Sequence, residues 1–215
     1  MEAPGRPAVM WHAEDDGSAS APQDNKSTER ELLAELHEAE RSGTTDLAAA
    51  TTLYNLAILR RQQGEFAEAE QLYRRALAIR ERDQGPTHAD VAVILNNLAG
   101  LEAAQGNYAA AQPLLERALT IRQTALGNDD VLTAESLNNL ALVYAAQNDA
   151  AAAEPLYQRA LSILEKTDVA AKGDSQLERV LENYAALLHD TGRDGEAEAM
   201  EARVHALRAG EASHK

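Results

Sequence analysis

The chain has 215 residues, a formal charge of −15 at neutral pH, 45% hydrophobic but only 4% aromatic residues, and no cysteine. The acidic balance argues against nucleic acid and anionic membrane surfaces, which select a basic footprint. The missing cysteines exclude disulfides, thiolate metal ligands and cysteine nucleophiles.

Residues 1–26 are rich in Pro, Gly, Ser, Ala and acidic side chains and lack apolar periodicity. Such a stretch cannot bury enough surface to offset the entropy of ordering, and it is predicted to form a disordered arm. Within it, the only tryptophan of the chain, Trp11, precedes Glu14, Asp15 and Asp16. Next, Thr28 and Glu31 fit a capping box, and Leu32, Leu33, Leu36 and Ala39 share one helical face. A capping helix is expected over residues 27–43, stopped at Ser42 and Gly43.

From there one pattern returns. Leu53-Tyr54-Asn55-Leu56-Ala57, Leu95-Asn96-Asn97-Leu98-Ala99, Leu137-Asn138-Asn139-Leu140-Ala141 and Leu181-Glu182-Asn183-Tyr184-Ala185 follow one another after 42, 42 and 44 residues. A period of this size marks a solenoid, in which each unit stacks on its neighbours. Four helical hairpins are expected at about 47–84, 89–126, 131–167 and 175–208, within a repeat region over 44–209 and ahead of a frayed tail at 210–215. In each, helix A turns its leucines and alanines inward and stops at Gly64, Gly106, Asn148 or Gly192, residue types that tolerate a left-handed C-terminus. Helix B follows with Ala69, Tyr73, Ala76 and Leu77 and their counterparts, and Pro113 and Pro155 are placed near its start, where a missing N–H costs little. Glu201 stands where the other copies have Tyr73, Leu115 and Tyr157, as expected of a terminal repeat whose outer face meets water.

Leu-x-x-Leu-Ala-x-x-Tyr, Gly before an aromatic, Ala-x-x-x-Tyr and a closing Ala resemble the tetratricopeptide repeat. Leu-Asn-Asn-Leu-Ala, Ala-Glu-Pro-Leu, Arg-Ala-Leu and the Gly-Pro-x-His connector resemble its longer kinesin light chain form. The resemblance implies an all-α, right-handed superhelix of antiparallel helix pairs, with a concave groove lined by the A helices that binds peptides of other proteins. It does not imply motor transport, because the helix from Thr28 to Arg41 is too short for the sustained heptads of a coiled coil.

With Leu95, Leu98 and Ala99 facing helix B, Asn96 and Asn97 point toward the concave side. Asn55, Asn97, Asn139 and Asn183 then form a ladder of amides able to hold an extended peptide backbone. A second reading has each amide bond to a neighbouring helix and fix the stacking. Asn96 and Asn138, one residue earlier, are expected to be more exposed. Ala103, Ala104, Ala145 and Ala146 would make a shallow apolar floor. Arg60 and Arg61 at one end, against Glu135, Glu182 and Asp190 toward the other, would orient a ligand with its acidic part on the first repeat. The double substitution Asn97→Ala and Asn139→Ala is expected to weaken binding while moving stability by less than about 0.5 kcal/mol. Since kinesin light chain grooves accept peptides with a Trp beside acidic residues, the resemblance also makes Trp11 with Glu14, Asp15 and Asp16 a candidate occupant of the groove.

No catalytic residue, metal or cofactor is expected. His12, His37, His88, His189, His205 and His214 lack metal-ligand spacing, and no glycine-rich phosphate loop occurs. No stretch has the length of a membrane span and no secretory signal is visible, so a cytoplasmic location is expected. The predicted function is a non-catalytic interaction module for a protein or peptide partner, with a self-associating scaffold as the alternative.

Overall fold

The computed structural model describes residues 22–43, 46–166 and 175–212, and these form nine α-helices and no strand. They are α1 (Pro22–Ser42), α2 (Leu47–Gln62), α3 (Phe66–Gln84), α4 (Ala89–Ala104), α5 (Tyr108–Ala125), α6 (Val131–Ala146), α7 (Ala150–Lys166), α8 (Ser175–Asp190) and α9 (Asp194–Ala212). Helices α2, α4, α6 and α8 are the A helices of the repeat. The arm up to residue 21, with Trp11 and its acidic neighbours, lies outside the described residues.

The start of the first helix differs from the capping-box expectation. Helix α1 begins at Pro22, so Thr28 lies inside it. A proline has no N–H to leave unsatisfied in a first turn and its φ is already helical, which moves the start upstream.

Two compact units make up the chain, Met1–Ile121 and Arg122–Lys215. In the first, α2 and α3 form a hairpin around Leu53, Leu56, Ala57, Ala69, Tyr73 and Ala76, and α1 closes one side of it with Leu36. Leu98 and Leu101 of α4 join the same core, while Val91, Ala92 and Leu95 pack with Ala118 and Ile121 of α5. The alanines Ala57, Ala69, Ala76 and Ala118 are fully buried, and their small size brings the crossing helices close. Each leucine so enclosed contributes about 1.5–3 kcal/mol. In the second unit α6 pairs with α7 and α8 with α9, around buried Leu137, Ala141, Ala153, Tyr157, Ile163, Leu181, Leu188 and Ala197.

Helices α2, α4 and α6 begin on side-chain caps, and all four A helices end on left-handed residues. Asp46 Oδ1 accepts from the N–H of Ala48 and Ala49 at 3.1 and 3.0 Å, and Asp130 caps Leu132 at 2.8 Å, each cap contributing about 1 kcal/mol. The four stops all have positive φ, and Asn148, at 64°, is the only non-glycine with positive φ among the described residues. Asparagine is one of the few side chains that accept this conformation. Pro113 and Pro155 lie deeper in their helices than expected, well inside α5 and α7. Helix continues through them because the carbonyls they leave without a donor belong to Ala109 and Ala151, both solvent-exposed.

Candidate peptide-binding interface

The asparagines of the two middle repeats are turned inward. Asn96, Asn97, Asn138 and Asn139 are 2%, 1%, 1% and 4% exposed, so the amides expected on an accessible wall are withdrawn from water. In the first unit Asn97 Nδ2 donates to the Tyr54 hydroxyl on α2 at 3.0 Å and to the Val93 carbonyl at 3.1 Å. In the second, Asn183 Nδ2 on α8 donates to Asn138 Oδ1 on α6 at 3.0 Å, and Asn138 Nδ2 donates to Asn139 Oδ1 at 3.2 Å. Within each unit the amides therefore tie one A helix to the next, as buried polar groups must find partners.

The expectation of greater exposure at Asn96 and Asn138 is corrected by the same burial. Between Val91 and Ala103 only Val93 keeps partial exposure, and from Thr133 to Val143 no residue does. Helices this rich in Ala and Gly let their neighbours come close on every side. Ala103, at 4% exposure, is closed off with them.

Accessible positions remain at α2 and at the end of α6. On α2, Asn55 and Gln62 are exposed and Ile58 is half-buried, and their spacing sets them on one stripe. Arg61 lies beside this stripe, half-buried, with its Nε enclosed and unpartnered. Burial pushes the Tyr73 hydroxyl up to about 12, and the nearby Arg61 charge opposes that rise. At the end of α6, Tyr144, Ala145 and Ala146 are half-exposed, while Ala104 at the end of α4 is exposed.

The proposed charge polarity dissolves into internal pairs. Arg60 bonds Glu29 at 2.8 Å and Glu65 and Glu68 at 3.0 Å each. Glu135 is buried beside Arg122, and Glu182 pairs with Arg208. Of these groups Arg61 and Asp190 have no oppositely charged partner in ion-pair reach among the described residues, and Asp190 is exposed.

Three polar clusters were not anticipated. Arg122, 1% exposed, donates to the Leu132 carbonyl at 2.7 Å, to Ser136 Oγ at 3.1 Å and to Glu135 at 3.4 Å. Arg80, Arg122 and Arg208 fall at one phase of the repeat, and that recurrence was the available signal. Arg193 grips Glu154 at 2.8 Å and Glu196 at 2.7 Å, and Tyr184 donates to Glu154 at 2.8 Å. The Arg193 bond, followed by that of Tyr184, holds the Glu154 carboxyl below its usual range. His189 bridges Asp194 at 2.8 Å and Glu201 at 3.2 Å. Among the described residues no acidic or histidine cluster could hold a metal ion, and no helix is long and apolar enough to cross a membrane.

The tetratricopeptide repeat pattern matches residues 30–82, 48–123 and 90–166, together more than half of the chain. No curated protein matches. Among solved structures, BtubC (BKLC) from P. vanneervenii is 25% identical, with a TM-score of 0.76 over 87% of this chain and 74% of its own. The kinesin light chain candidate of Podosopora anserina, built of nearly identical TPR-like repeats, is 19% identical, with a TM-score of 0.74 over 88% of this chain and 89% of its own. MamA, at 16% identity and a TM-score of 0.61 over 90% and 98% of the two chains, shares the fold. With the period, the helix pairs and the family pattern in agreement, the chain belongs to the tetratricopeptide repeat family, whose repeats form a scaffold for protein–protein interaction.

Proposed function

We propose that the scaffold binds a segment of a partner protein through the positions its A helices leave open, foremost the α2 face formed by Asn55, Ile58 and Arg61. The observation that carries this reading is the contrast along the asparagine phase. Asn97, Asn139 and Asn183 take part in hydrogen bonds within the fold, whereas Asn55 is exposed and has no such bond among the described residues. An amide with both donor and acceptor free can hold a peptide backbone, Ile58 offers an apolar contact beside it, and the Arg61 guanidinium can take an anionic group. Asn96, Asn97, Asn138, Asn139 and Ala103 act from beneath by holding the A helices in register.

Selection of binding peptides from a displayed random library on the full chain tests the reading. Selected peptides should lose at least about tenfold in affinity on Asn55→Ala with Arg61→Ala, consistent with losing hydrogen bonds to a charged group. They should keep their affinity on Gln71→Ala, an exposed position of α3. Equal affinity for wild type and the Asn55, Arg61 variant removes α2 as the binding face.

A further inference from the structure

The B helices carry a second recurrence, independent of the asparagines. Arg75, Arg117, Arg159 and Arg203 follow one another after 42, 42 and 44 residues and share one phase. In three of the four places the guanidinium reaches back to a carboxylate on an earlier helix. Arg75 pairs with Glu40 of α1 at 2.7 Å, Arg117 with Glu81 of α3 at 2.6 Å, and Arg203 with Glu165 of α7. Glu81 and Glu165 stand two periods apart, and the residue midway between them, at the end of α5, is Gln123.

Arg159 is the position this neutral residue leaves without a counter-charge. Arg117 also donates to the Pro86 carbonyl at 3.0 Å, in the turn after α3. Arg159 keeps the corresponding bond one period on, to Asn128 Oδ1 at 3.0 Å in the turn after α5, but among the described residues no carboxylate lies in ion-pair reach of it. Its neighbours one turn away on α7, Pro155, Leu156, Ser162 and Ile163, are uncharged. The acids of the nearby turn are engaged elsewhere, Asp129 with Lys166 at 3.9 Å and Asp130 as the cap of α6. The Arg159 side chain is exposed, so its charge is open to solvent.

The surroundings add an apolar contact. Leu126 and Leu132 flank the turn that holds Asn128, and they are two of the three large hydrophobic side chains left exposed among the described residues, at 38% and 39%. The Leu126 N–H still bonds the Arg122 carbonyl at 2.8 Å, so Leu126 keeps helical spacing and neighbours Gln123 three residues before it. An exposed leucine alone needs no explanation. Beside a cation held by Asn128 and lacking the carboxylate of its counterparts, it completes a two-point contact within the second unit.

We propose that the end of α5 and the Arg159 position of α7 form a docking surface for a partner segment that carries an Asp or Glu beside an apolar side chain. The carboxylate takes on Arg159 the place that Glu81 takes on Arg117, and the apolar group covers Leu126. An exposed pair of this kind sets register and specificity more than affinity. The surface belongs to the second unit and does not depend on the α2 face of the first.

Gln123→Glu writes the missing carboxylate into the chain and supplies the test. It should close the pair with Arg159, leave thermal stability equal to or above that of wild type, and compete with the partner's acid. Peptides are selected on the full wild-type chain from a displayed random library and depleted on Arg159→Glu. Those that remain should carry Asp or Glu beside an apolar residue. Their affinity should fall about fivefold on Gln123→Glu, and as much when that one acid is replaced by its amide, the upper size of an exposed ion pair. It should also fall on Leu126→Ser and stay unchanged on Asn55→Ala with Arg61→Ala. An empty depleted pool, or one that binds Gln123→Glu as tightly as wild type, overturns the surface, while peptides that depend on Asn55 and Arg61 keep the α2 reading intact. A Gln123→Glu chain less stable than wild type overturns it as well, because the new carboxylate would then not meet Arg159. Sedimentation velocity that shows wild type self-associating and Gln123→Glu monomeric would make the occupant a second copy of the chain and overturn the external partner.

Discussion

Asn97 shows how a side chain that reads as a ligand contact can serve the fold. Its Nδ2 joins α4 to Tyr54 of α2, and its own burial leaves no room for a peptide to take that bond over. Asn97→Ala should therefore cost about 1 kcal/mol, the net contribution of a typical hydrogen bond, seen as a lower denaturant midpoint. The smaller change expected from an exposed amide would contradict this role. The helical phase of these amides was legible from the sequence, because period 3.6 fixes which residues share a side. Their burial was not, since phase says nothing about what lies opposite, and the Tyr54 hydroxyl that receives Asn97 comes from another repeat. At His189 the pairing with Asp194 and Glu201 raises the imidazole pKa, the hydrogen bonds to Asp194 and then Glu201 being the main causes. A group with a raised folded-state pKa adds stability that is fully present below its unfolded value of about 6.5 and is lost as pH rises through the folded value. Thermal melts should accordingly show a small decline across the window just above 6.5 that His189→Gln removes. An unchanged pH profile in that variant would show that the bridge contributes nothing.

At the scale of an element, Arg122 anchors the start of the second unit by reaching the α6 backbone at Leu132 and the side chains of Glu135 and Ser136. Both charges are almost fully enclosed, so removing one partner strands the other. Arg122→Ala should cost about 3–5 kcal/mol in denaturant unfolding, while the double change Arg122→Met with Glu135→Leu should recover much of the loss. A single variant as stable as wild type would show Glu135 to be solvated without its arginine. The helices themselves were largely legible. Gly64, Gly106, Asn148 and Gly192 recur at one phase, and a left-handed stop has few alternatives. The start of α1 was not, because Thr28 and Pro22 both signal an N-terminus and the sequence alone does not rank them. The depth of Pro113 and Pro155 was missed for a related reason: the cost of a proline depends on whether the orphaned carbonyl meets water, which only the packing decides.

Across the whole molecule, the family assignment and the site reading rest on different things. Period and small-residue phase identify a tetratricopeptide repeat protein, and such a protein acts by offering surface to partners. Which surface it offers depends on what the fold has already covered, and here the middle A helices are covered while α2 and the end of α6 keep open positions. The most direct test compares two double variants in fluorescence anisotropy with one library-selected peptide that binds the α2 face, under conditions where both variants are folded. Asn55→Ala with Arg61→Ala should lose affinity at least about tenfold with unchanged stability, whereas Asn97→Ala with Asn139→Ala should lose about 2 kcal/mol of stability and keep affinity within about twofold. The reverse pattern, with binding lost through the inner asparagines and retained without Asn55 and Arg61, would contradict the account.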